Sequence, residues 1–249
     1  MKRIDYSSLK IRIGILIFCI SLVSLNCQNI KTRDAEEFDE IARTVFKNIY
    51  PFLAQQIKED FSITRGICID AGAGGGYLSI ELAKITDMEI YALDIDPGAI
   101  KIAQRNIDKA QLSKKIKTVQ GDVQKMPFSE NFADLVVSRG SFPFWEDKVK
   151  AFKDIYRVLK PGGVAFIGGG MGRLLPLEER EKISKIMEKE KIGPPENLAV
   201  TVKEMGEILR KAGIPRFEVS TDEGCPCGLW VNFQKPSLAT ADNSKEKSL

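Results

Sequence analysis

The chain has 249 residues, 43% apolar and 29% charged, which suits a globular protein with one sizeable core and excludes collagen-like, disulfide-dense and wholly disordered classes. The formal charge of +3 belongs to the N-terminus: the first 26 residues hold four of the 37 basic side chains and one of the 34 acidic ones. The remainder balances at 33 of each and gives no electrostatic reason to expect a nucleic-acid partner.

In chain order, residues 1–12 carry the basic charges, and Ile13 to Leu25 is an uncharged run of 13 residues. A membrane-spanning helix needs about 20 apolar residues, so the run matches a signal-peptide core better. It ends in Leu25-Asn26-Cys27, which resembles a bacterial lipoprotein cleavage site with Cys27 as the lipidated residue. Residues 1–27 are therefore expected to be a signal or membrane-anchor segment, giving a membrane-associated protein. Two alternatives stay open: an uncleaved anchor, or an extended start on a cytoplasmic protein.

From Lys31 to Asp60, Phe38, Ile41, Val45, Ile49, Phe52 and Leu53 recur at helical spacing, and Pro51 is expected to split the stretch into two helices. Gly66–Asp70 reads as a strand, followed by a glycine cluster and a helix over Tyr77–Ile85. A second strand, Glu89–Leu93, ends at Asp94. Asp96-Pro97 then makes a strong helix start, with the helix running to Lys109. Further strands read at 117–120, 133–138 and 163–168. A helix over 147–159 is expected to stop at the breaker cluster Lys160-Pro161-Gly162-Gly163. Helices over 177–191 and 202–211 and strands over 217–220 and 229–233 complete the body. Residues 31–235 thus read as one domain, and 236–249 as a polar, disordered tail. Alternation of this kind predicts an α/β fold: a doubly wound, mostly parallel sheet with helices on both faces.

The loop Asp70-Ala71-Gly72-Ala73-Gly74-Gly75-Gly76-Tyr77 follows a strand and opens a helix. Glycine there allows positive φ and close backbone approach to a ligand. The dinucleotide fingerprint would need glycine at position 77, which is tyrosine, so a nicotinamide cofactor is disfavoured. No Lys-Ser/Thr follows for a Walker loop. Asp70 suits a ligand bearing an ammonium group. Asp94, at the end of the next strand, is placed to accept hydrogen bonds from both hydroxyls of a ribose.

The segments ICIDAGAGGGYLSIELAK, YALDIDPGAIKIAQRN, VQGDVQKMPFSENFADLVVSRGSF and AFKDIYRVLKPGGVAFIG, in that order, resemble the class I S-adenosylmethionine-dependent methyltransferases over about residues 35–235. Within that family they are most similar to the small-molecule branch that includes quinone and sterol methylating enzymes. The resemblance implies a Rossmann-like methyltransferase fold with a seven-stranded sheet and one antiparallel strand, near Leu229–Phe233. It implies S-adenosyl-L-methionine as cofactor, with Asp70, Gly72 and Gly74 against its methionine part, Asp94 on the ribose and Ile95 on the adenine face. Asp122 and the backbone of Val123 would read the adenine edge, and Ser138 would approach the cofactor. Tyr50, Arg139, Phe144 and Trp145 are candidates to face a small-molecule methyl acceptor, with core packing the equal alternative for each aromatic and a surface salt bridge the alternative for Arg139. A non-catalytic sensor or scaffold that binds the cofactor is the alternative.

Histidine is absent, which excludes Ser-His-Asp and Cys-His nucleophile systems, histidine metal sites and any imidazole base. No catalytic base stands out, and this favours an acceptor that is already reactive, such as a thiolate, an enolate-like carbon or an amine. Cys225 and Cys227 are the only close cysteine pair and cannot form a four-ligand zinc site, so no metal is expected. Their sharper reading is a pair of soft ligands for a thiophilic substrate or a soft metal ion; the plainer one is a tight turn. Cys68 reads as a small buried hydrophobe.

Overall fold

The computed structural model describes residues 34–222 and 225–237, without side chains for 225–227. The readings of residues 1–27, of the tail after 237 and of the Cys225 and Cys227 thiols lie outside what it describes. The body begins with two helices, α1 (Ala35–Thr44) and α2 (Ile49–Phe61). They are followed by β1 (Arg65–Ala71), α3 (Tyr77–Ile85), β2 (Asp87–Asp94), α4 (Pro97–Lys109), β3 (Ile116–Gln120) and β4 (Ala133–Arg139). A short 3-10 turn (Phe142–Phe144) leads to α5 (Lys148–Val158) and β5 (Leu159–Gly168). Then come α6 (Leu177–Lys189), α7 (Val202–Lys211), β6 (Glu218–Asp222) and β7 (Cys225–Gln234).

The seven strands are ordered β3-β2-β1-β4-β5-β7-β6. All neighbouring pairs are parallel except those of β7, which runs antiparallel to both β5 and β6. The chain moves outward from β1 to β3, then returns to place β4 on the other side of β1. That reversal opens a crevice at the carboxyl ends of β1 and β4, where α/β sheets bind ligands.

Each face of the sheet has its own core. On one, Phe152 and Ile155 of α5 and Met205 and Leu209 of α7 pack on Ile69, Val136, Ile167 and Val231. On the other, Leu53 and Ile57 of α2, Leu82 of α3 and Ile107 of α4 cover Cys68, Ile90, Leu135, Val137 and Phe166. Cys68 is fully buried. The α4 start is as read from sequence: Asp96 caps the helix by accepting the Gly98 N–H at 2.7 Å, and Pro97 follows.

Three local expectations are corrected. Pro51 does not break the first helical stretch. It sits in the first turn of α2, where its missing N–H would have had no helical partner, and the break falls at residues 45–48. Phe38 and Phe52, part of the apolar repeat at helical spacing, are 43% and 37% exposed; Asp39 and Ala42 are the buried positions of α1. Lys160–Gly163 does not precede a strand but forms a bulge inside β5, marked by a register shift against β4 between Ala133 and Leu135. Gly162 takes φ +85° there, and Lys235 holds the bulge through backbone bonds to Gly162 and Gly163.

Candidate functional site

The glycine loop sits at the crevice and is laced to β2. The N–H groups of Gly72 and Ala73 both donate to the Leu93 carbonyl, at 2.8 and 2.9 Å. Gly72 has φ +73°, and a Cβ there would lie 2.4 Å from the Ser141 side chain. Gly74 differs: at φ +53°, a Cβ would meet nothing within 4 Å, so its surface is open to a ligand. Asp70, next to last in β1, is almost fully buried and accepts the Ser79 hydroxyl of α3 at 2.7 Å. Burial lifts its carboxyl from the ordinary 3.8 to about 6, against the lowering effect of Ser79, with the nearby Asp94 charge adding to the rise.

Asp94 ties the loop to the second strand. One carboxylate oxygen accepts the Gly74 N–H at 2.8 Å, and the other accepts the Asp96 N–H at 3.0 Å. Burial raises its pKa, and these backbone donors oppose the rise. Each oxygen keeps a second lone pair. Ile95 follows at 64% exposure, an apolar side chain at a strand end beside the carboxylate. Asp122, just after β3, is clasped by Gln124, whose backbone N–H donates at 2.8 Å and whose side-chain amide donates at 3.0 Å. Val123 is buried beside it.

Two expected site residues turn inward instead. Ser138 is 1% exposed, with its hydroxyl 2.6 Å from the Ser141 hydroxyl, which donates to the Ala71 carbonyl at 3.0 Å. Trp145 is buried: its indole N–H donates to Ser141, and its ring packs edge-on against Phe142 and Phe152. These side chains brace the loop from behind and do not face an acceptor. The reason is the pleat: Ser138 shares a face with Val136, on the α5 side of the sheet.

Arg139 lies on the opposite face, the side of Leu135 and Val137. Its guanidinium stacks 4.0 Å from the Phe46 ring and 5.5 Å from the Tyr50 ring, and its Nε donates to the Gly170 carbonyl at 3.3 Å. Tyr50 of α2 stacks on Tyr77 of α3, with ring centroids 5.5 Å apart. Burial raises its hydroxyl pKa, while the Arg139 charge opposes that rise. Phe144 is 44% exposed and meets Phe38 of α1 edge-on at 5.8 Å.

Sequence reasoning missed Asp39, which is 5% exposed and joins α1 to the loop. It accepts the Tyr77 hydroxyl at 2.8 Å, and the Arg105 guanidinium and Asn106 amide at 3.3 Å. Asn106 also donates to the Gly75 carbonyl at 3.0 Å. The available signal was an acid inside an amphipathic helix. A separate cavity of about 580 Å³ lies over β5, β7 and β6, lined in part by Asp60, Arg173, Asp222 and Trp230. Its central carboxylate, Asp222, is already taken up by the Trp230 indole and the Met171 and Gly172 N–H groups, so the glycine crevice is the better ligand site.

The groups in this crevice fit a nucleoside-linked amino acid. They comprise a buried acid at the β1 end, an open glycine surface, an acid with spare lone pairs at the β2 end and an exposed isoleucine beside it. The comparisons with known proteins agree. The methyltransferase-domain family matches residues 69–167. A crystal structure from Methanococcus maripaludis, described as an S-adenosyl-L-methionine-dependent methyltransferase, is 41% identical, with a TM-score of 0.73 over 82% of this chain and 92% of that one. The mouse mitochondrial arginine-hydroxylase NDUFAF5 is 32% identical over 190 residues, 74% of this chain and 50% of that protein. A sterol 24-C-methyltransferase of Aspergillus fumigatus is 35% identical over 115 residues, 45% of this chain and 29% of that protein. This chain belongs to the S-adenosylmethionine-dependent methyltransferase family. It spans less than two thirds of the length of the curated relatives it matches.

Proposed function

We propose that the chain transfers the methyl group of S-adenosylmethionine to a small-molecule acceptor. The observation that carries this reading is the pairing of Asp70 with Asp94 across an open glycine surface. When bound, the cofactor would supply a sulfonium-activated methyl group for in-line displacement by an acceptor's electron pair, with the thioether as leaving group. The protein's part is to hold the two reactants in line and exclude water. In this reading Asp70 takes the ammonium group, Gly72 and Gly74 let the methionine chain lie on the backbone, and Asp94 accepts from the ribose. Ile95 covers one adenine face, and Asp122 with the Val123 backbone meets its edge. Ser138 acts indirectly, through Ser141, by fixing the loop. Tyr50, Arg139 and Phe144 border the acceptor side, between the N-terminal helices and the end of β4.

The sterol methyltransferase relative supports a small acceptor. The hydroxylase relative shows why transfer must be measured and not assumed. The test is calorimetric titration with S-adenosylmethionine, followed by transfer of a deuterated methyl group to a small-molecule extract, read by mass spectrometry. Binding without labelled product favours the sensor reading, and absence of binding rejects both.

The N-terminal segment is read as a tether that places the domain at a membrane, with Cys27 as the lipidated residue. Support comes from the basic flank, the short apolar run and the cysteine that follows it. Among the described residues, no helix is long and apolar enough to cross a membrane.

A further inference from the structure

Arg139 stands out among the charged side chains around the crevice. Asp70 is held by Ser79, and Asp39 by Tyr77, Arg105 and Asn106. Arg139 is partly buried, and no carboxylate lies within ion-pair distance of it among the described residues. Its Nε is used by the Gly170 carbonyl, and one face of the guanidinium is covered by Phe46. The Tyr50 hydroxyl engages one of the four N–H donors on the terminal nitrogens, and neither nitrogen is a sealed, unpartnered atom. The stacking and the Nε bond fix the fork's plane before anything binds. A rigid, weakly hydrated fork of this kind matches an oxyanion in two-pronged fashion.

We infer that Arg139 is the docking group for an anionic acceptor: the small molecule methylated here carries a carboxylate or phosphate that seats on the Arg139 terminal nitrogens. The inference rests on the methyltransferase reading and narrows its acceptor class. It makes Arg139 a specificity-determining residue. Phe46 and Tyr50 hold its guanidinium in place.

The experiment splits a small-molecule extract by anion exchange into anionic and flow-through fractions and incubates each with the full chain and deuterated-methyl cofactor. Labelled product is expected from the anionic fraction. Carbodiimide capping with methylamine should remove it if the anion is a carboxylate, and phosphatase treatment if it is a phosphate. Arg139→Gln should raise the KM for the active fraction at least tenfold with kcat within about threefold, and Arg139→Lys should recover part of the loss. Cofactor affinity by calorimetry should stay unchanged in both variants. Equal labelling from the flow-through overturns the inference, as does an unaltered KM in Arg139→Gln. A tenfold loss of cofactor affinity in Arg139→Gln also overturns it, because the guanidinium would then serve the cofactor's own carboxylate. Label in neither fraction rejects the methyltransferase reading itself, and the acceptor class with it.

Discussion

Asp70 offers a measurable link between the site and stability. Replacing it with asparagine keeps the shape and an oxygen able to accept the Ser79 hydroxyl, but removes the ionisation. The folded carboxyl titrates at about 6, against 3.8 ordinarily. At about 1.4 kcal/mol for each tenfold in proton affinity, its ionisation costs the folded state on the order of 3 kcal/mol at neutral pH. The folded state holds this proton between pH 3.8 and 6 while the unfolded chain has lost it. Stability from this group is therefore highest below 3.8, falls as pH rises to about 6, and is flat above. Urea unfolding of both proteins from pH 4 to 8 should show Asp70→Asn gaining up to about 3 kcal/mol over the parent near pH 7.5 and little at pH 4. Cofactor binding should move the opposite way: the variant binds more weakly, and the parent releases protons on binding between pH 5 and 7. Parallel stability profiles, with a constant difference across the range, would refute a buried acid kept for a cationic ligand group.

Asp94→Ala removes the acceptor for the Gly74 N–H and the proposed ribose contact and should weaken cofactor binding roughly 10- to 100-fold by calorimetry, equivalent to about 1.5–3 kcal/mol. Gly72→Ala forces a side chain to positive φ and into Ser141, and should lower unfolding free energy by about 2–4 kcal/mol in urea titration. Cys27→Ser should shift the native protein from the membrane pellet to the soluble fraction. Finding native protein soluble and beginning at Met1 would rule the tether out.

Local chemistry explains what could be read from sequence. The β1 strand, its glycine loop and the Asp96-Pro97 helix start are specified by neighbouring residues, and their bounds were readable to within a residue or two. The seven-stranded sheet and its antiparallel strand came from the family resemblance that the four motifs carry, since alternation alone predicts only a parallel sheet. What was misread depends on distant partners. Trp145 reads equally as a core or a pocket aromatic until Phe152 and Ser141 are seen to enclose it. The helix does stop ahead of the Lys160–Gly163 cluster, but the cluster lies inside β5 because its bulge is held by Lys235, 73 residues away from Gly162. Asp39 has partners 38 to 67 positions away, beyond any periodicity argument.

Asp39 gathers three donors from two helices onto one carboxylate, and its partners cannot then be treated as independent. Removing one donor leaves the acid with two, whereas removing the acid strands all three. Asp39→Ala should cost more than any of Tyr77→Phe, Arg105→Gln or Asn106→Ala, and pairs of the latter should fall short of their sum in a double-mutant cycle. Because Asn106 also reaches Gly75, the amide protons of the first helix and of the glycine loop should exchange with solvent in step, as one cooperative unit, although about 30 residues separate them in sequence.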